Sequence, residues 1–385
     1  MSDSTVKRHT KIVCTLGPVS SPSEIIEGIL KGGMNVARFN IAHGTFEEHS
    51  RRISQVRLLS EKLNLPTGIL LDLPGLKRRS GDVKAVFSRD LEFAHSQNAD
   101  FIALSFVSSV RQVQEVKQLL RKMNADIPII VKIEEAQALE ESSAIIDVAE
   151  GIMVARGDLA LQISIEKVPL AQKRLIKEAN RRGKPVITAT QMLESMIHSA
   201  TPTRAEAADV ANAILDGSDA LMLSEETATG DYPVEATKMM ARIAFEAEAG
   251  LAYEQMLLEK WRDVLHEVND ATAAAACQMA HHVHAKAILA FTTGGTTALR
   301  VSKYRPRQPI LAVTPSDFTM RRLSLVWGVL PIRKPAPSNL EEVFELASEV
   351  ALETHVCKRG NLVVVTAGIP LNLPGSTNLV KIHSV

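Results

Sequence analysis

The chain has 385 residues, more than one ordinary core serves, so a large domain plus a smaller one is expected. Lys+Arg and Asp+Glu both number 44, and this zero net charge argues against nucleic acid or a charged membrane surface as the main partner. No apolar run approaches the roughly 20 residues of a membrane span, and the polar stretch from Met1 to Thr10 carries no secretory apolar segment, so a cytoplasmic location is expected. Cys14, Cys277 and Cys357 form no CxxC pair and read as small buried hydrophobes in a reducing compartment.

Eight short apolar, β-branched runs follow one another in the first 226 residues: Lys11–Leu16, Asn35–Ile41, Thr67–Leu73, Phe101–Val107, Pro128–Glu134, Gly151–Ala155, Lys184–Thr190 and Asp219–Ser224. Most are too continuous for half-exposed strands and suit parallel strands covered on both faces. Helical patterns separate them. Ser21–Lys31 has Ile25, Ile26 and Ile29 on one face with Gly32 and Gly33 as the stop, and Val110–Met123 spaces Val113, Val116, Leu119 and Leu120 helically. Eight alternating units of roughly 25–35 residues predict a (β/α)8 TIM barrel over residues 1–250. A doubly wound sheet would not need this count, and no GxGxxG follows the first strand. The third interval is short: a basic stretch, Leu76 to Asp82, and one helix, about Ser88–Gln97, bridge to the fourth strand. After the barrel, Thr237–Val264 reads as helix and leads to a smaller α/β domain at 265–385. It is expected to hold a helix at Asp270–His284, strands at Lys286–Phe291, Pro309–Val313, Val329–Ile332 and Leu362–Thr366, and a last strand at Asn378–His383.

Barrel catalytic groups come from the C-terminal strand ends, so these are read as a set. The second strand ends in Arg38, Phe39 and Asn40 with His43 beyond; the third carries Asp72; the fifth carries Lys132 and Glu134. The sixth ends in Arg156, Gly157 and Asp158, the seventh in Thr190, the eighth in Ser224, Glu225 and Glu226. Alternation places Lys132 and Glu134 on one side of their strand. Taken singly, Lys132–Glu134 could be an ordinary ion pair, the Arg156–Asp158 stretch a helix cap and His43 a structural histidine. Together, at one mouth, they suit metal-assisted phosphoryl transfer or enolisation. Glu134 and Asp158 would hold Mg²⁺ or Mn²⁺, and Lys132 would face a phosphoryl group or a developing enolate. Thr190 would contact substrate or relay a proton, and Arg38 and Arg79 are typed for phosphate. His281, His282 and His284 read as a surface group, and the Ala273–Ala280 stripe as core. In the second domain, Thr292, Thr293, Gly294, Gly295, Thr296 and Thr297 lie between a strand and a helix expected near Ala298. That is either a phosphate-binding turn or a plain βα turn.

The chain strongly resembles the pyruvate kinase family over nearly its whole length. The resemblance rests on Lys11 to Pro18, Met34 to Asn40 with His43 and Gly44, Ile152 to Leu159, Lys184 to Ile197, Pro202 to Glu206, and Asp209 to Gly217. It implies transfer of a phosphoryl group from phosphoenolpyruvate to ADP, giving pyruvate and ATP in glycolysis, in a homotetramer. It also implies that Lys132 stabilises the transferring group and the enolate, that Glu134 and Asp158 ligate Mg²⁺ or Mn²⁺, and that Arg38, Gly157, Asp158 and Thr190 bind substrate. Asn40, His43 and Arg79 match positions for nucleotide and phosphate; Asn40, Asp72 and Lys77 match the monovalent-cation region. Thr292–Thr297 matches a loop for a sugar-phosphate effector, flanked by Gly368–Thr377.

Three departures stand out. The family's lid domain after the third strand is reduced to about residues 81–87, which should hurt nucleotide turnover more than binding at the mouth. Ala42 replaces a potassium-ligating serine, and Lys77 stands where potassium-independent members carry lysine, so K⁺ is expected not to be required. Ser224-Glu225-Glu226-Thr227 adds a carboxylate near the site. Two alternatives stay open: nucleotide-independent pyruvate enolisation or oxaloacetate decarboxylation, and a silent subunit that binds phosphorylated metabolites through Thr292–Thr297.

Overall fold

The computed structural model describes residues 8–75, 83–371, 373 and 375–385. Lys77, Arg79 and the start of the 81–87 segment lie outside the described residues. Eight parallel strands close into a barrel in chain order: β1 (Lys11–Thr15), β2 (Val36–Asn40), β3 (Gly68–Leu73), β4 (Phe101–Leu104), β5 (Ile129–Ile133), β6 (Gly151–Ala155), β7 (Val186–Ala189) and β8 (Ala220–Leu223). Closure is between β8 and β1, where Cys14 pairs with Leu223. Along these strands every residue is buried except Asn40 and Lys132, both near C-terminal ends. A barrel whose strands are buried throughout except at the mouth has marked its own working face.

The helices are set by ordinary signals. Thr45 and Glu48 form a capping box that starts helix Phe46–Leu63, and Ser109 with Gln112 does the same for helix Val110–Lys122, which buries Val113, Val116 and Leu120. Gly33 ends helix Ser23–Gly32 at φ 118°, a conformation glycine adopts without a Cβ penalty. Between β3 and β4 the bridging helix spans Val83–Ser96, longer at its N-terminus than the sequence pattern predicts. The two strands remain in direct register, Leu70 with Phe101 and Asp72 with Ala103.

Contacts divide the chain into Thr10–Ala247 and a second unit, Glu248–Val385 joined by the N-terminal end. His9 belongs to the second unit: its ring stacks on Trp327 with centroids 4.4 Å apart, and its carbonyl accepts the Gly328 N–H at 2.9 Å. The expected continuous helix Thr237–Val264 is two helices, Pro233–Ala249 and Tyr253–Trp261, with Gly250, a poor helix former, at the break. The second unit carries one sheet of β9 (Ile288–Phe291), β10 (Ile310–Thr314), β11 (Val329–Arg333), β12 (Leu362–Gly368) and β13 (Thr377–Ser384). Its order is β11-β10-β9-β12-β13, with only β12 and β13 antiparallel. Ala273, Ala274, Ala276, Cys277 and Ala280 of helix Val268–His282 are buried in its core, as their spacing predicts.

Candidate active site

The mouth divides into two sectors. From β1 to β5 side chains bond one another. On β1 the Thr15 Oγ1 accepts from Arg38 (NH1, 2.8 Å) and donates to the Leu223 carbonyl at 2.9 Å. Arg38, on β2, donates from Nε and NH2 to Asp72 Oδ2 at 2.9 and 2.7 Å. Ser105, just beyond β4, donates to Asp72 Oδ1 at 3.1 Å and accepts from Lys132 Nζ at 2.8 Å. Lys132 lies 3.2 Å from Glu134 Oε2 and 3.7 Å from Asp72 Oδ2. Glu134 Oε1 accepts the Phe106 N–H at 2.6 Å. Gly75 makes room for this arrangement, since a Cβ there would stand 2.5 Å from the Ser105 carbonyl and 2.4 Å from the Phe106 ring.

The two buried carboxylates differ in their protonation. Burial pushes the Asp72 carboxyl up, but the charges of Lys132 and Arg38 and the hydrogen bonds from Arg38 and Ser105 outweigh it and hold it below its ordinary value. Burial also pushes Glu134 up, and there the Lys132 charge and the Phe106 N–H do not compensate, so it stays raised. Glu134 Oε2 is buried and faces the Lys132 ammonium at 3.2 Å, the charge that offsets part of its burial.

From β6 to β8 the main chain does the holding. Helix Arg156–Gln162 starts directly from β6, with half-buried Asp158 in its first turn; among the described residues the Asp158 carboxylate has no hydrogen-bond or ion-pair partner. The β7 strand stops at Ala189 because Thr190 and Gln191 turn left-handed, φ 69° and 52°. Such a turn in non-glycine residues costs about 1–2 kcal/mol each, so the surroundings must enforce it. Gly157 N–H donates to Thr190 Oγ1 at 2.9 Å, and that hydroxyl donates to the Ala189 carbonyl at 2.6 Å. Arg156 donates to the carbonyls of Ala189, Thr190 and Gln191 at 3.3, 2.6 and 3.2 Å and pairs with Asp209 at 2.6 Å. Buried Glu226 accepts the N–H groups of Leu193 (3.1 Å) and Ser224 (2.6 Å), and burial raises its carboxyl above the ordinary value. Glu225, the added carboxylate, is exposed.

Asn40 is half-buried and caps the Ala42 N–H at 3.2 Å, whereas His43 is exposed, its N–H donating to the Asn40 carbonyl at 3.2 Å and its carbonyl bonded to the His49 ring at 2.8 Å. Thr15, Ser105 and Arg156 are site components that strand-end reading left without roles. A hydroxyl within an otherwise apolar run is the one local mark that the first two carry. His282 and His284 are exposed, and among the described residues no group of three or more His, Cys, Asp or Glu is gathered for a metal. Glu134, just beyond β5, and Asp158, in the helix after β6, are the two carboxylates that could hold a metal at this mouth. Two oxygen ligands with open positions fit Mg²⁺ or Mn²⁺, which keep water and substrate oxygens in their remaining sites.

In the second unit, Thr292, Thr293, Gly294, Thr296 and Thr297 line a concavity open to solvent, with Lys334 and Gly368 on its wall. Thr292 Oγ1 accepts the Gly295 N–H at 2.9 Å, Thr297 Oγ1 bonds Thr377 Oγ1 at 2.8 Å, and Gly295 takes φ 91° to open helix Thr296–Lys303. Lys334 pairs with Glu349 and Glu353 at 2.6 and 2.7 Å.

A parallel barrel with charged groups gathered at its mouth, followed by a small α/β unit, is the architecture of a barrel enzyme. The pyruvate kinase barrel-domain model matches residues 7–88 and 86–237, and the pyruvate kinase alpha/beta-domain model matches 270–383. Pyruvate kinases of Staphylococcus epidermidis and Staphylococcus aureus are each 36% identical to the chain over 471 aligned positions, covering 98% of it and 80% of their own length. The chain belongs to the pyruvate kinase family. Those 471 positions exceed its 385 residues by 86, and the two barrel matches meet at 86–88, between β3 and β4. It is a form that lacks the lid domain.

Proposed function

We propose that the chain transfers the phosphoryl group of phosphoenolpyruvate to ADP, giving pyruvate and ATP, with Mg²⁺ or Mn²⁺ and without K⁺. The observation that carries this is the fixed Lys132 ammonium, held by Ser105, Glu134 and Asp72 at the end of β5. In the reaction the bond between phosphorus and the enol oxygen breaks, a bond to an ADP phosphate oxygen forms, and the enolate takes a proton at carbon. The cation held by Glu134 and Asp158 would polarise the substrate oxygens. Lys132 neutralises charge on the transferring group and on the enolate without reorganising. Three of the five Arg38 N–H donors go to Asp72 and Thr15, which leaves two for a phosphate oxygen. Thr190 presents its hydroxyl beside Gly157 of helix Arg156–Gln162, to contact substrate or relay a proton through water. Ala42 in place of a hydroxyl, and Asp72 neutralised by Arg38 and Lys132, support turnover without K⁺. A coupled assay with ADP, Mg²⁺ and no K⁺ tests this; turnover no greater than that of Lys132→Met sinks it.

The missing lid favours a second reading, in which the same mouth enolises pyruvate or decarboxylates oxaloacetate with no nucleotide. That chemistry needs Lys132 and the carboxylate pair alone. Metal-dependent exchange of the pyruvate methyl protons, lost in Glu134→Gln, is its signature. The threonine-lined concavity is proposed to take a sugar phosphate, through hydroxyls and the helix N-terminus. Calorimetric titration with sugar phosphates decides that point, and a response in turnover would separate a regulator from a silent subunit.

A further inference from the structure

We propose that Arg156 is the positioning residue that sets the Thr190 hydroxyl, acting through the main chain of the turn after β7. The inference rests on the enol-handling role proposed above for the barrel mouth. In extended chain, successive carbonyls point to opposite sides, so one side chain cannot reach three in a row. Here the carbonyls of Ala189, Thr190 and Gln191 all converge on one guanidinium, at 3.3, 2.6 and 3.2 Å. They do so because Thr190 and Gln191 are left-handed. The remaining nitrogen, NH1, is fixed by Asp209 Oδ2 at 2.6 Å, so all three guanidinium nitrogens are spent inside the protein. Arg156 is buried and directly precedes Gly157, whose N–H bonds Thr190 Oγ1 at 2.9 Å. One residue therefore enforces the unfavourable turn while its neighbour aims the hydroxyl that the turn presents. A lysine carries a point charge and no planar fork, so it would not hold three carbonyls and a carboxylate at once.

The test combines Arg156→Lys, Arg156→Gln and Thr190→Ala, singly and as double variants. In the Arg156 variants the Gly157 amide is expected to exchange with solvent at least about tenfold faster while the rest of the barrel keeps its protection. The kcat should fall by about 10²-fold with the phosphoenolpyruvate KM changed less than about twofold, because a small displacement of a reacting group costs that much. In the Thr190→Ala background, Arg156→Lys should alter kcat by less than about twofold. Unchanged Gly157 exchange, or full additivity of the two substitutions in an active enzyme, overturns the proposal. If Gly157 loses protection as expected but the wild type neither forms nor exchanges pyruvate, the positioning role stands and the proposed function falls. Should Arg156→Gln fail to fold, Asp209→Asn keeps the arginine, frees NH1, and should show the same exchange and kcat changes in weaker form.

Discussion

The two sectors of the mouth solve the same problem differently. Between β1 and β5, charged side chains from β2, β3 and β5 neutralise one another in a buried network joined by the hydroxyls of Thr15 and Ser105. Between β6 and β8, the functional hydroxyl depends on a backbone conformation, and side chains serve to impose it. The first sector is fixed by electrostatics and tolerates no missing partner. The second is fixed by local geometry, so its substitutions should affect chemistry more than stability.

The largest expected effect lies in the first sector. Lys132→Met should lower pyruvate formation by about 10³-fold, the scale on which a preorganised electrostatic group acts; steady-state kinetics with ADP and Mg²⁺ reads it. Asp72→Ala leaves Arg38 and Lys132 without their shared carboxylate and should cost about 3–5 kcal/mol of stability, whereas Asp209→Ala removes a carboxylate that is itself 38% exposed, leaves Arg156 its three carbonyls, and should cost less. Urea midpoints compare the two, and equal losses would erase the contrast. The pH dependence follows from Asp72 being held below its ordinary value. Its stabilisation is complete above the unfolded-state pKa and is lost as pH falls through the lower folded-state value, so Asp72→Ala should flatten the acid limb of the stability profile.

Two smaller effects sharpen the comparison. Gly75→Ala would drive a methyl into the Ser105 carbonyl and the Phe106 ring, an overpacking worth about 1–3 kcal/mol that also displaces the serine holding Lys132. Thermal unfolding and kcat should fall together. Glu225→Gly removes an exposed carboxylate and should change stability by less than about 0.5 kcal/mol. A larger change would show that the added charge acts on the site from the β8 side.

Much of this was legible in the sequence because the barrel repeats one simple pattern. The eight apolar runs predict the eight strands, and Lys132 and Glu134 come together from their i, i+2 spacing alone. Strand ends were read too long: Glu134, Ser105 and Thr190 lie one residue beyond their strands, where the chain turns to present them. Ser105 sits inside the apolar run Phe101–Val107, and no local pattern says that it joins Lys132 to Asp72. The left-handed turn at Thr190 was equally hidden, since neither threonine nor glutamine favours it. Its cause is Arg156, 34 residues earlier in the chain. Contacts between distant strand ends exist only once the barrel closes.

The register between β3 and β4 carries a consequence for how such a fold can change. Leu70 meets Phe101 and Asp72 meets Ala103 as neighbouring strands should, although a whole domain present in relatives is missing from the connection between them. The ring of strands is thus indifferent to the length of that connection. The enclosing module behaves as a detachable fitting on a ring whose strand pairing does not depend on it.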